Sequence, residues 1–246
     1  MLTREAIQFI QESNIKPEER LVELGDQLFA INADGDVKEI KPRAIIAENR
    51  LCLNTLTGLV DYVKANLERI DKKLILRIKN PQEVLLEGLL EFDGSREELV
   101  HVGALLPQVL YGYFYGAEEF NISLQSKFTK TPDRDILLKV MGNVVEGDVK
   151  NVGDDGTSQS VVIKSGISSH AEAKVPNPVV LAPYRTFIEV EQPASPFIFR
   201  MQEGPCGAIF EADGGAWQNV AIQNVKNYLA VALEAEIEAG RITLIA

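Results

Sequence analysis

Apolar positions in this chain change their spacing several times, and each change marks an element. Leu53, Leu56, Val60, Val63, Leu67 and Ile70 recur every three or four residues, which predicts a helix over 53–70 with Asn54 or Thr55 as its cap. From Lys73 the period shortens to two. LILRIK (74–79), EVLLEGLLEF (83–92) and ELVHVGALL (98–106) are separated by Asn80-Pro81 and Asp93-Gly94, and predict three successive strands in an antiparallel meander. Helical spacing returns over 117–145, as a helix over Ala117–Phe128 and a second opened by Thr131-Pro132-Asp133, which supplies a cap, a first-position proline and an acidic first turn. Upstream, a helix is expected over Thr3–Glu12, and QLFAI and DVKEI flank Asn32–Gly35 as a hairpin.

The second half reads as β. Polar, glycine-rich Val145–Ser160 predicts a boundary or mobile loop near 146–158. SVVIKSG, PVVLAPY, TFIEVEQ and PFIFRM then alternate, punctuated by Pro176, Pro178, Pro183, Pro193 and Pro196, which suit strand starts, bends and edges. AIFEADGGAW leads into a helix over 215–236, with Asp213 as its cap and Ile222, Val225, Leu229 and Ala232 on one face; Arg241–Ala246 forms a closing strand. Strands cluster at about 73–106 and 158–211 and do not alternate one-for-one with helices. The expectation is therefore an α+β fold with antiparallel or mixed sheet regions. A single domain over 1–246, with an N-terminal helix–hairpin subregion at 1–45, fits the length.

Composition narrows the chemistry. A net charge of −11 argues against a general basic surface for nucleic acid or anionic lipid, and the acidic excess is dispersed apart from Glu234, Glu236 and Glu238. The two cysteines, Cys52 and Cys206, lie far apart, which predicts neither a disulfide framework nor a cysteine-rich zinc site. Burial is the expectation for Cys52, and an exposed turn for Cys206. No apolar run approaches the roughly 20 residues of a membrane span, and the amphipathic start is not a signal peptide, so a cytoplasmic location is expected.

Candidate catalytic groups do not assemble into a motif. Gly153–Gly156 and Asp213-Gly214-Gly215 match neither phosphate-loop pattern and read as turns, while Asp133, Asp135, Asp154 and Asp155 lack calcium-loop spacing. His101 reads as a satisfied strand histidine. His170, with Ser168, Ser169 and Glu172, has no nucleophile elbow. The expectation is thus no catalytic residue, no metal and no cofactor. Two groups remain. Lys164, Lys174, Arg185 and Arg200 lie where acids are sparse, and form a candidate anion site if they share a face. Tyr111, Tyr113, Phe114 and Tyr115 lack neighbouring cations for base stacking and read as a core or subunit interface.

The segments VGDDGTSQSVVIKSG, VPNPVVLAPYRTFIEVEQPASPFIFRM and FEADGGAW, and more faintly Ile45–Gly94, resemble the YfdQ-like group of bacteriophage and prophage proteins of unknown function. The resemblance implies a phage or prophage setting and supplies no site residues. With the missing catalytic pattern, it leads to the expectation of a non-enzymatic accessory protein. That protein would be a homo-oligomer acting by binding in the host cytoplasm, against a host defence protein or a nucleotide signal. The alternative is an assembly protein whose oligomer is its function.

Overall fold

The structure, a computed structural model, describes residues 4, 20–25, 27–32, 35–41, 44–66, 68–143, 153–154, 159–164, 170–202 and 204–246; for 153–154, 159–164 and 170–174 it describes the backbone alone. The expected helix at 3–12 lies outside these residues, as does most of the predicted loop at 146–158. The chain divides into two compact units, one of Met1–Ala47 with Leu90–Glu97, the other of Glu48–Leu89 with Glu98–Ala246.

In the smaller unit, β1 (Leu21–Leu24), β2 (Gln27–Ile31) and β3 (Val37–Ile40) form an antiparallel sheet in that order. The predicted hairpin is β2–β3, closed by Asn32, whose amide N–H reaches the Asp36 carbonyl at 3.0 Å. The tight turn at Asp93-Gly94 is also present. Gly94 has φ 80°, and the Asp93 carboxylate accepts from Ser95 N–H, Ser95 Oγ and Ala44 N–H at 3.0, 2.6 and 2.9 Å. Those donors hold the Asp93 pKa down at about 2.

The larger unit contains a five-stranded sheet, β15-β5-β6-β7-β4, built from β4 (Leu51–Leu53), β5 (Leu74–Asn80), β6 (Glu83–Leu90), β7 (Arg96–Gly103) and β15 (Ile242–Ile245). The predicted meander is its centre. Both outer strands run parallel to their neighbours, so the sheet is mixed. Residues 51–53, read as the start of a helix and its approach, instead pair with Val100, His101 and Val102. The helix α1 (Leu56–Ala65) therefore begins after the Thr55 cap, whose hydroxyl accepts from Gly58 N–H at 3.1 Å. It ends at Asn66 in the left-handed region (φ 43°), a conformation asparagine tolerates, which is why the apolar period to Ile70 is not continued as helix. Its stripe of Leu56, Leu59, Val60 and Val63 is buried against the sheet.

A second sheet, β12-β13-β14-β8, joins β8 (Tyr115–Gly116), β12 (Val179–Leu181), β13 (Ser195–Gln202) and β14 (Cys206–Glu211). It packs on α2 (Ala117–Lys127) and α3 (Pro132–Asn143) through a core that includes Phe120, Leu137, Phe197 and Phe199. The two helices expected within 117–145 both form. The break is enforced by Thr131, whose hydroxyl caps the second through Arg134 N–H at 3.1 Å. Separately, β9 (Gly153–Asp154), β10 (Gln159–Lys164) and β11 (His170–Lys174) form an antiparallel sheet. The final helical region is α4 (Trp217–Ala232) with a short α5 (Glu234–Glu238); the cap position is Ala216, not the expected Asp213, whose carboxylate instead accepts from Gly215 N–H and Trp217 N–H in the turn before it. The α+β expectation is met.

One predicted strand does not form. TFIEVEQ (186–192) alternates in sequence but makes a compact loop. Its backbone groups are satisfied by the Gln192 side chain instead of a neighbouring strand, and that loop builds the site described next.

Candidate functional site

Gln192 is 7% exposed, and its carboxamide holds the loop together. Its Oε1 accepts from Arg185 N–H at 2.9 Å and Thr186 N–H at 3.2 Å, while Nε2 donates to the carbonyls of Phe187 and Val190 at 3.0 and 3.2 Å. Buried backbone groups require partners, and here one amide supplies them in place of a ladder. The loop is also anchored outward. Thr186 Oγ1 donates to the Pro81 carbonyl, Glu189 accepts from Leu56 N–H at the start of α1, and Asn224 of α4 donates to the Glu191 carbonyl. Phe187 is buried in the first core. Upstream, Tyr184 N–H bonds the Lys127 carbonyl at 3.0 Å, tying the loop's entry to α2.

This frame carries Arg185, which is only 5% exposed. Its Nη1 donates to Glu211 Oε1 at 3.1 Å, and Nη2 to the Pro193 carbonyl at 3.1 Å and Ser195 Oγ at 2.7 Å. The guanidinium lies over Trp217, 4.1 Å from the ring centroid, and 5.6 Å from that of Phe197. Burial lowers its pKa from the usual value, opposed by the charges of Tyr111, Glu211 and Asp213. Its Nε has no hydrogen-bond partner among the described residues.

A second orphan stands nearby. The Tyr111 hydroxyl is buried without a partner among the described residues, and burial pushes its pKa up to about 12. The ring rests 5.5 Å from Phe197 and is fixed by the next residue, Gly112, whose N–H bonds the Ile209 carbonyl at 2.8 Å. Gly112 needs to be glycine: φ is 73°, and an added Cβ would sit 3.2 Å from the Phe210 ring.

Arg185, Tyr111, Glu211, Trp217 and Gln82 line one cleft of about 270 Å³, with Leu106, Pro107 and Val109 as its apolar wall. Tyr184 also faces this cleft and separates it from a wider one of about 430 Å³ edged by Lys130, Ile188 and Glu191. The first combines a small volume, an apolar wall and convergent polar groups, the usual composition of a ligand site.

The sequence-derived anion group is only partly assembled. Arg185 is in the cleft. Arg200 follows Phe199 on β13, where burial alternates, so it projects from the face opposite Ser195 and Phe197. Lys164 and Lys174 stand at opposite ends of the β10–β11 ladder, opposite His170 and Ser160, and their side chains lie outside the described residues. The aromatic run does not form one surface. Tyr115 is buried in the second core, Tyr113 is half-exposed and edge-on to it, Phe114 meets Phe210, and Tyr111 lines the cleft. Tyr115 and Tyr111 thus meet the core half of the expectation, since both pack in or against the second core.

His101 is held by Glu83 at 3.2 Å, consistent with a satisfied strand histidine. Cys52 is exposed, against expectation, because β4 is an edge strand. Among the described residues no group of three or more His, Cys, Asp or Glu is arranged to hold a metal, and no helix is long and apolar enough to cross a membrane. Sequence reasoning missed Trp217, Glu211 and Gln192. The first two flank Asp213-Gly214-Gly215, a turn whose glycines have φ 61° and 84° and bring the strand end back beside the helix start.

No family model matches the chain, and no curated protein or solved structure is similar to it.

Proposed function

We propose that this chain acts by binding a small polar molecule in the Arg185 cleft. The observation that carries the reading is the cleft itself: Gln82, Tyr111, Arg185, Glu211 and Trp217 converge on one opening of about 270 Å³ beside an apolar wall. Rigidity supports the same reading: the Gln192 loop, the Asp213 turn and the Gly112 tie each fix a cleft residue from a different element, which keeps the ordering cost of binding low.

The resemblance to YfdQ-like proteins supports a phage or prophage setting. There, the proposed role is capture of a small molecule in the cytoplasm of the bacterial host, interfering with a defence signal. The single tryptophan provides the test, because Trp217 lies in the cleft and intrinsic indole emission reports on this site alone. Titration with a broad metabolite library should give saturable quenching by at least one compound. Val109→Phe, which fills the apolar wall, should abolish it without lowering thermal stability. A library with no saturable response would refute the reading.

A further inference from the structure

Beyond Tyr184, the wider cleft of about 430 Å³ differs in chemistry from the Arg185 site, and its occupancy does not depend on that site. Three polar side chains of its wall are already committed to the frame. Thr129 Oγ1 donates to the Ala182 carbonyl at 3.2 Å, and Thr131 Oγ1 to the Val180 carbonyl at 3.1 Å. The Gln192 carboxamide is spent on its own loop. Two charged lining residues remain: Lys130, from the link between α2 and α3, and Glu191, from the 186–192 loop. Both are exposed, and neither side chain has an ion-pair or hydrogen-bond partner among the described residues. The nearest acid along the chain from Lys130, Asp133, already accepts from Val180 N–H at 2.7 Å. A cation and an anion are thus left at one opening, on long side chains that reach a guest without breaking an existing contact.

Ile188 lines the same cleft and is 76% exposed, and Val190 and Ala194 line it too. Apolar surface left in water favours a guest that covers it. A simple anion gains Lys130 but meets Glu191, a simple cation meets the reverse, and a purely apolar guest engages neither charge. We infer that this cleft takes an α-amino acid zwitterion with an apolar side chain. Its carboxylate faces Lys130, its ammonium faces Glu191, and its hydrocarbon covers Ile188. The volume lies within the span of about 300–1,000 Å³ usual for small-molecule sites. Both charges stay in contact with water, so each contributes about fivefold in affinity at most, and binding is weak.

The test is calorimetry and saturation-transfer NMR on the full chain with leucine, isoleucine, valine and phenylalanine, their N-acetyl and amide derivatives, and glycine. At least one of the four apolar amino acids should bind. Glycine lacks the hydrocarbon, the N-acetyl derivative the ammonium and the amide the carboxylate, so each should bind about threefold or more weakly than the free amino acid. Lys130→Met and Glu191→Gln should each weaken the free amino acid about fivefold. The amide should bind Lys130→Met no worse than the parent, and the N-acetyl derivative should bind Glu191→Gln no worse, a crossed pattern that a general loss of structure does not give. Circular dichroism confirms that the variants fold, and either alone carries the test. A blocked derivative, or glycine, binding as tightly as the free amino acid would overturn the ligand class. Binding that neither variant weakens would overturn the location, and quenching of Trp217, which lines the other cleft, would then place the guest there. Silence from all four amino acids would refute this site and leave the Arg185 reading standing.

Discussion

Replacing Arg185 with methionine keeps most of the side-chain volume and removes every polar contact of the guanidinium. The Pro193 carbonyl and Ser195 Oγ lose their donors at 3.1 and 2.7 Å, and Glu211 loses its partner. Removing one member of a buried ion pair usually costs about 3–5 kcal/mol. Glu211 is 39% exposed and regains water, which places this case at the lower end. The lost stacking on Trp217 at 4.1 Å contributes about 0.5–2 kcal/mol more. Relief from burying a charge offsets part of the total, leaving a net loss of about 3 kcal/mol. For a protein of this size that corresponds to a fall in Tm of about 6–12 °C. Thermal unfolding followed by circular dichroism and Trp217 emission measures it. Adding Glu211→Leu to the variant should recover about 1 kcal/mol or more, since contacting residues couple. A loss below about 1 kcal/mol, or no coupling, would refute the idea that the buried guanidinium organises the cleft.

Three further outcomes follow from other parts of the molecule. Gln192→Leu strips five backbone groups of their partner, and should lower stability by about 3 kcal/mol or more and broaden amide signals of residues 185–190 in NMR spectra; a variant as stable as the parent would show that the loop has another organiser. Glu83 accepts from Lys79, Asn80 and His101, and these donors lower its pKa to about 2. Its folded pKa lies below the usual 4.5, so its stabilisation is complete above that value and fades as pH falls from about 4.5 towards 2; a carboxyl signal titrating near 4.5 in the folded protein would contradict this. Tyr111, raised to about 12, favours the folded state below pH 10 and loses that contribution as pH rises through 10 towards 12. Ultraviolet titration should show a late phenolate step that Tyr111→Phe removes.

The cleft places its chemistry where four parts of the larger unit meet. Arg185 and Gln192 come from the loop between β12 and β13, Glu211 from the end of β14, and Trp217 from the first turn of α4. Tyr111 precedes β8. Distant chain segments joined by one hydrogen-bonded frame hold donors at fixed positions better than one flexible loop would.

The elements legible in the sequence are those whose burial is local and periodic. The α1 stripe, the β5–β7 meander, the hairpin at 27–40, the Thr131 cap and the closing strand all follow from spacing and cap chemistry. The α+β class follows from their order. Where sequence reading erred, a tertiary partner had displaced a local preference. Leu51–Leu53 pairs with β7 instead of extending a helix, and Thr186–Gln192 folds around one amide although it alternates like a strand. Of the cleft, Arg185 and Tyr111 were singled out from the sequence, but in separate groups and for other roles. Their shared position depends on contacts across more than seventy residues of chain, and hydrophobic periodicity records only which side of an element is buried. Tertiary packing alone decided that Arg185 meets Glu211 and Trp217, that its charge is already compensated, and that these residues line one small cleft with Tyr111.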